Sequence, residues 1–427
     1  MLKKITILSF WLISILSAII FSHENPEAIK SIKNYFKNYF KSYQKVEVPT
    51  DIILKKDDIE ANSFNISFKL ITIFEDGFKT AFISYSDAND DFSEKKLKIY
   101  YQDGGIFENS NYKESIFKFL TTDYNGGVKT IFNHKNNKFA FMSSLKDDCI
   151  YASIVSLQTN DEIFNTKCLP AENNKQNTAW IDFNGLGSTN IHYKNKILLS
   201  IGAPEAYNSE IANLAQNKNS FFGKIIEIDK DDLDLVISKK KEKINAKIFS
   251  LGHRNPQGLT KINEHVFSVE HGPKGGDELN KIFLNENYGW PESSYGIRYL
   301  DDDNKKYYNR NHEDYGFEEP LFALVPSVGI SSLNNCPKNL SAYYKRPCLM
   351  ALSLAGNDLR PGKSIIIYLL NNKMTKVQSI EKISLSNNKR LRHFVTNSKN
   401  ELYEDKNGDI YISVDAVSIH RLSFLGL

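Results

Sequence analysis

Met350-Ala351-Leu352-Ser353-Leu354 reads as a strand built around one serine, and the same pattern returns along the chain. It occurs as Ala81-Phe82-Ile83-Ser84-Tyr85, Phe139-Ala140-Phe141-Met142-Ser143, Ile197-Leu198-Leu199-Ser200-Ile201, Val266-Phe267-Ser268-Val269 and Ile410-Tyr411-Ile412-Ser413-Val414. The serines are separated by 59, 57, 68, 85 and 60 residues. A second apolar run follows each, at 97–100, 150–155, 224–228, 279–284, 364–368 and 419–424. Several of these runs alternate with the two-residue period of a sheet. Turn residues such as Asn407-Gly408 lie between them. Sixty-odd residues hold one four-stranded sheet with generous loops, so six recurrences predict an all-β, six-bladed propeller. Its expected extent is 51–427. Long amphipathic helical patterns are missing from this region, which argues against an α/β fold.

The length of 427 residues suits one large all-β domain. A net charge of +3, with basic residues scattered rather than gathered, speaks against a nucleic-acid partner. Lys3 and Lys4 precede an apolar run at 5–21. That run is short for a membrane span and long for the core of a signal peptide. Residues 1–23 are therefore either a cleaved signal peptide or an uncleaved inner-membrane anchor, and both put the body in the periplasm or on the extracellular face. Residues 24–50 are polar and Lys-rich. They read as a linker, or as a short amphipathic helix carrying Tyr35, Phe36, Tyr39, Phe40 and Tyr43. In an exported chain four cysteines suggest disulfides, with Cys149–Cys168 and Cys336–Cys348 as the local pairings.

The chemistry-bearing stretch runs from 251 to 291. It contains Gly252-His253-Arg254-Asn255-Pro256-Gln257-Gly258-Leu259, then Glu270-His271-Gly272-Pro273-Lys274-Gly275-Gly276-Asp277-Glu278-Leu279-Asn280, then Asn287-Tyr288-Gly289-Trp290-Pro291. Polar residues crowded among Gly and Pro after strand signals describe loops at one end of a sheet. Arg254 and Asn255 offer a guanidinium fork and an amide, suited to a flat ligand bearing carboxylates and carbonyls. Gly272 and Pro273 offer backbone carbonyls of the kind calcium takes. Only eight of the 54 basic residues are Arg, and none precedes Arg254. Arg390 and Arg392 are a second pair of forks, pointing the same way if the strand alternates.

These three blocks, in this order and spacing, with the later Arg390-Leu391-Arg392, resemble the soluble PQQ-dependent glucose/sorbosone dehydrogenase family. The resemblance covers roughly 115–427 and is firmest over 245–427. It implies a six-bladed propeller that binds pyrroloquinoline quinone (PQQ) and calcium and oxidises a sugar hydroxyl, with hydride passing to the quinone. Arg254, Asn255, Arg390 and Arg392 would contact PQQ. Gly272 and Pro273 would give their carbonyl oxygens to calcium.

Departures from the family pattern are equally specific. Where the family has its general-base histidine, this chain has Asn184, and an amide cannot accept that proton. Asp182 and His192 are the candidate substitutes. Gly202-Ala203 replaces a Gly-Asp, Val325 an aromatic expected to stack on the cofactor, and Ala355 a lysine. The resemblance therefore implies a sugar oxidoreductase, with a catalytically degenerate propeller that binds a carbohydrate, another ligand or a protein as the alternative. His253 and His271 are expected to bond loop backbone, Asp277 and Glu278 to brace the loop, and Tyr288 and Trp290 to pack between blades. The acidic run at 301–303 reads as a solvated loop.

Overall fold

The computed structural model describes residues 52–54, 59–63, 66–75, 83–87, 98–108, 111–169, 181–205, 210–298, 308–354, 364–385, 390–414 and 418–425. The expected signal or anchor, the linker, the acidic run at 301–303 and Ala355 lie outside them. Among the described residues the only α-helices are Lys230–Ile237 and Lys338–Tyr344. None is long and apolar enough to cross a membrane.

The strands form six sheets. Blade 1 is Ile83–Asp87, Lys98–Tyr101, Ile106–Glu108 and Asn111–Lys113. Blade 2 is Val128–His134, Asn137–Lys146, Cys149–Ser156 and Glu162–Asn165. Blade 3 is Asn190–Tyr193, Lys196–Ile201, Lys224–Asp229 and Lys247–Leu251. Blade 4 is Pro256–Ile262, His265–Glu270, Asp277–Ile282 and Phe322–Leu324. Blade 5 is Ile330–Asn335, Cys348–Ser353, Ser364–Leu370 and Val377–Leu385, with Ile52–Leu54 added in parallel at its edge. Blade 6 is Leu391–Phe394, Ile410–Val414 and Ser418–Leu425, completed by the N-terminal strands Ile66–Glu75 and Ile59–Ser63. The six first strands neighbour one another in a closed ring.

Blade 6 closes that ring. Ser418–Leu425 pairs antiparallel with Ile66–Glu75, from Ser418 opposite Glu75 to Leu425 opposite Ser67. Joining the two ends of the chain in one sheet leaves no open seam between first and last blades.

The apolar runs are continuous rather than strictly alternating because each middle strand serves two cores. In Ser364–Leu370 every residue is buried. Ile365, Ile367 and Leu369 pack toward blade 6 with Ile410, Ile412 and Leu422. Ile366, Tyr368 and Leu370 pack toward blade 4 with Phe267, Val269 and Leu279. Successive side chains point to opposite faces, and here both faces are buried. Blade 3 repeats the arrangement, with Leu199 and Ile226 facing blade 2 and Leu198 and Ile225 facing blade 4.

Five of the six repeat serines lie in the second strand of their blade and are almost wholly buried: Ser143, Ser200, Ser268, Ser353 and Ser413. Their hydroxyls bond to neighbouring backbone. Ser143 Oγ accepts from Gly127 N at 2.6 Å, Ser268 Oγ donates to Gly258 O at 3.0 Å, and Ser413 Oγ accepts from His393 N at 3.1 Å. Beside these contacts the first strand bulges, between Val128 and Thr130, Pro256 and Gly258, and Leu391 and His393. Ser84 departs from the pattern, lying in the first strand of blade 1 at such a bulge. First and second strands share the same apolar alternation, so spelling alone could not separate them.

Both expected disulfides form. Cys149 pairs with Cys168 and Cys336 with Cys348, at Cα–Cα distances of 5.3 and 5.4 Å.

Candidate functional site

A bulge adds one residue to a strand and re-aims its side chain. In the first strands of blades 2, 4 and 6 the added residues are Lys129, Gln257 and Arg392. All three line one hollow, together with Gln102, Asn184, Ser188 and His393. The bulges thus turn three polar side chains from three blades into one mouth of the propeller.

Arg254 sits beside this mouth at the entry to blade 4. Its Nη1 donates to His271 O at 3.1 Å and to Gly272 O at 3.0 Å. Its Nε lies 3.5 Å from the buried Glu205 carboxylate. Its guanidinium lies over the Trp290 ring, 5.2 Å from the centroid. Carboxylate, ring and carbonyls fix the fork in one orientation. His271 lies within electrostatic reach of both Arg254 and Arg392. Burial lowers its pKa first, and both guanidinium groups lower it further, against an upward pull from Asp277. The two forks, far apart in sequence, thus both act on one imidazole at long range.

Asn255 holds the loop that carries Asn184. Its Oδ1 accepts from Gly187 N and Gln257 Nε2, both at 2.8 Å, and its Nδ2 donates to Asn184 O at 3.0 Å. A Cβ on Gly187 would fall 2.1 Å from Asn255 Oδ1, so only glycine allows this approach. Asn184 is exposed at the mouth, within the turn Phe183–Gly185. Asp182 caps that turn. Its Oδ1 accepts from Asn184 N at 2.8 Å and from Asn125 Nδ2 at 3.1 Å, and it is not among the residues lining the hollow. His192 opens instead on a second hollow with Lys261, Asn335 and Glu401, where the first strands end. Between the two mouths Asn190 donates to Thr130 Oγ1 and Ile131 O and accepts from Asn400. His192 thus opens on a different hollow from Asn184.

Arg390 and Arg392 do not act as a pair. Arg390 precedes the strand Leu391–Phe394 and is exposed, and the bulge between Leu391 and His393 breaks the alternation on which their common direction rested. Of the two, Arg392 lines the hollow.

Beneath Arg254 lies a buried polar network. His253 Nε2 meets Ser250 Oγ at 2.9 Å and His253 Nδ1 meets Glu270 Oε1 at 3.1 Å. Glu270 also accepts from Arg254 N at 2.8 Å and from Asn280 Nδ2 at 2.9 Å. Asn280 Nδ2 also donates to Glu278 Oε2 at 3.2 Å. Ser250, His253 and Glu270 have the order of a catalytic triad, yet Ser250 and His253 are wholly buried, so they serve structure. His253 thus bonds side chains rather than the loop backbone expected. Asp277 braces the loop as expected, accepting from Gly272 N, Ser327 Oγ, Val328 N and Ile330 N. Tyr288 packs between blades and donates to Lys281 O at 2.7 Å. Trp290 does more than pack, since it carries Arg254.

The profile of the family described as glucose/sorbosone dehydrogenase matches residues 150–416. The chain belongs to this family. Within it, an aldose sugar dehydrogenase of Escherichia coli is 36% identical over 92 residues, 20% of this chain and 24% of that protein. Quinoprotein glucose dehydrogenase B of Acinetobacter calcoaceticus is 37% identical over 95 residues, 21% of this chain and 19% of that protein. The chain thus aligns with about a fifth to a quarter of the length of these curated relatives. Among solved structures, the apo soluble aldose sugar dehydrogenase of Escherichia coli matches with a TM-score of 0.57 at 17% identity, over 83% of this chain and 99% of that one. The PQQ-bound aldose sugar dehydrogenase of Streptomyces coelicolor matches with a TM-score of 0.51 at 14% identity, over 84% of this chain and 98% of that one. At these identities the structures support the propeller fold. Of the residues this glucose/sorbosone dehydrogenase-like chain turns into its mouth, Lys129 and Gln257 escaped sequence reading. Lys129 is one of 54 basic residues in a Lys-biased chain, and only the bulge distinguishes it.

Proposed function

We propose that this glucose/sorbosone dehydrogenase family member oxidises a sugar hydroxyl at the mouth formed by Lys129, Asn184, Gln257 and Arg392, using PQQ. The observation that carries the reading is that Arg392 lines the same hollow as Asn184 and Gln257, two residues that bond to Asn255 next to Arg254. PQQ is a flat tricarboxylate. Forks of this kind fit it, since they bind carboxylates in two-point fashion. Arg392 would hold it from the hollow and Arg254 from the Trp290 side, with Gln257 and Asn184 offering amide contacts. When bound, the cofactor would supply the electron-accepting chemistry. The chain's own residues orient the sugar, exclude water and take the hydroxyl proton.

Calcium does not fit the Gly272 carbonyl as the residues stand. That oxygen already accepts from the Arg254 guanidinium, and a second cation there would face that positive charge at hydrogen-bond range. The nearby Asp277 carboxylate is engaged by four neutral donors. No step of the proposed chemistry uses a metal.

A second reading, a propeller that binds without turnover, has its own support in Asn184, whose amide cannot accept a proton. Reconstitution separates the two. Purified protein is mixed with PQQ, glucose or another aldose and a reducible dye, with and without millimolar calcium. Turnover that is the same in both calcium conditions is expected. PQQ binding without dye reduction would favour the binding module, and turnover that requires calcium would overturn the account of Gly272. The two disulfides support work in an oxidising compartment outside the cytoplasm. The expected partner is a small sugar.

A further inference from the structure

Oxidising an alcohol by hydride loss requires a proton acceptor at the hydroxyl oxygen. Among the described residues that line the mouth, three carry ionisable groups: Lys129, Arg392 and His393. Arg392 cannot give up its proton in a protein. His393 is pushed down to about 3 by burial and by Arg392, which makes it a feeble base at neutral pH. Asp182 lies outside the lining, its Oδ1 held by Asn184 N and Asn125 Nδ2. The bulge between Val128 and Thr130 turns Lys129 into the hollow, half-buried, with Nζ donating to Asn125 O at 2.9 Å.

We propose that Lys129, as the neutral amine, is the proton acceptor at this mouth, an assignment that rests on the oxidoreductase reading and replaces Asp182 in it. In the step the O–H bond breaks and its proton goes to Lys129 Nζ. The O–H electron pair closes the carbonyl, and the C–H hydrogen with its bonding pair would pass to PQQ, which would supply the two-electron acceptor for the sugar's two-electron oxidation. The Lys129 ammonium then returns its proton to solvent at the open mouth. Its electrostatic surroundings suit that cycle. Burial lowers the ammonium first, Arg392 from blade 6 lowers it further, and Asp182 from the loop before blade 3 opposes them, leaving it at about 7. A base poised near the working pH transfers protons most effectively.

Two measurements test this. Reductive methylation with ¹³C-formaldehyde in cofactor-free protein, followed by NMR, should show a dimethyl-lysine signal that titrates near pH 7 and is lost in Lys129→Met. A Lys129 signal that titrates at the ordinary lysine value would overturn the assignment. With PQQ and glucose, Lys129→Met and Lys129→Arg should each lower kcat by about 100-fold or more. The KM for glucose and the circular dichroism should change little, and the acid limb of kcat/KM near pH 7 should disappear. Turnover that Lys129→Met retains, with its acid limb intact, overturns the assignment alone. A wild-type protein that reduces no dye with PQQ and any aldose overturns the oxidoreductase reading and the assignment with it.

Discussion

Glu270→Ala is expected to destabilise the protein by about 3–5 kcal/mol, the usual cost of removing one partner from a buried charged network. Glu270 is almost wholly buried and accepts from His253 Nδ1, Asn280 Nδ2 and Arg254 N. Alanine leaves His253 Nδ1 and Arg254 N without that acceptor, and Asn280 Nδ2 with Glu278 alone; each orphaned buried donor costs about 1–3 kcal/mol. The consequence reaches the site, because Arg254 N is one of the three and the residue it belongs to carries the fork. Urea unfolding should show a lower midpoint at unchanged slope, together with weaker PQQ binding. A midpoint within experimental error of wild type would show that the network contributes nothing. Glu270→Gln should fall between the two, keeping one acceptor oxygen.

Glu278 carries the second large effect, one of opposite sign. Burial raises its pKa well above the ordinary value, and the neighbouring Glu270 carboxylate adds to the rise. Glu270 itself is held below its ordinary value, burial being outweighed by His253 and the hydrogen bonds it accepts. The pair therefore favours one negative charge over two around Asn280. A carboxyl whose folded pKa is raised stabilises the fold fully below its unfolded pKa of about 4.3 and loses that contribution as pH rises through the folded pKa. Glu270 behaves conversely, its contribution being lost as pH falls through its folded pKa. Glu278→Gln removes the need for the proton. Relative to wild type, the variant should gain about 1.4 kcal/mol for each pH unit above about 5, levelling off at the folded pKa of Glu278. Unfolding of both proteins at pH 5, 7 and 9 gives this difference directly. A difference independent of pH would mean that Glu278 is ionised in the folded protein.

Much of the architecture was legible because the repeat is periodic. Six apolar units with a central serine gave the blade number, and in five of them the serine marks the second strand. The closure was not legible, since Ile66–Glu75 carries no signal that it pairs with Ser418–Leu425 at the far end of the chain. Arg254 was readable from its setting among glycines and its scarcity as an arginine. The pairing of Arg390 with Arg392 was misread because alternation fails at a bulge, and a bulge has no spelling of its own. The same cause hid Lys129. Asn255 was expected to touch a ligand, and its amide is instead engaged by Gly187, Gln257 and Asn184, a loop contact visible only after folding.

The account depends on two guanidinium groups from separate blades meeting where a flat polyanion can lie between them. Titration of PQQ into the wild-type protein and into Arg392→Ala, followed by the cofactor's absorbance, tests it most directly. Saturable binding to the wild type, weakened about 100-fold in the variant, is the expected result, corresponding to roughly 2.7 kcal/mol for a lost charged contact. Equal binding by both proteins, or none by the wild type, would contradict it.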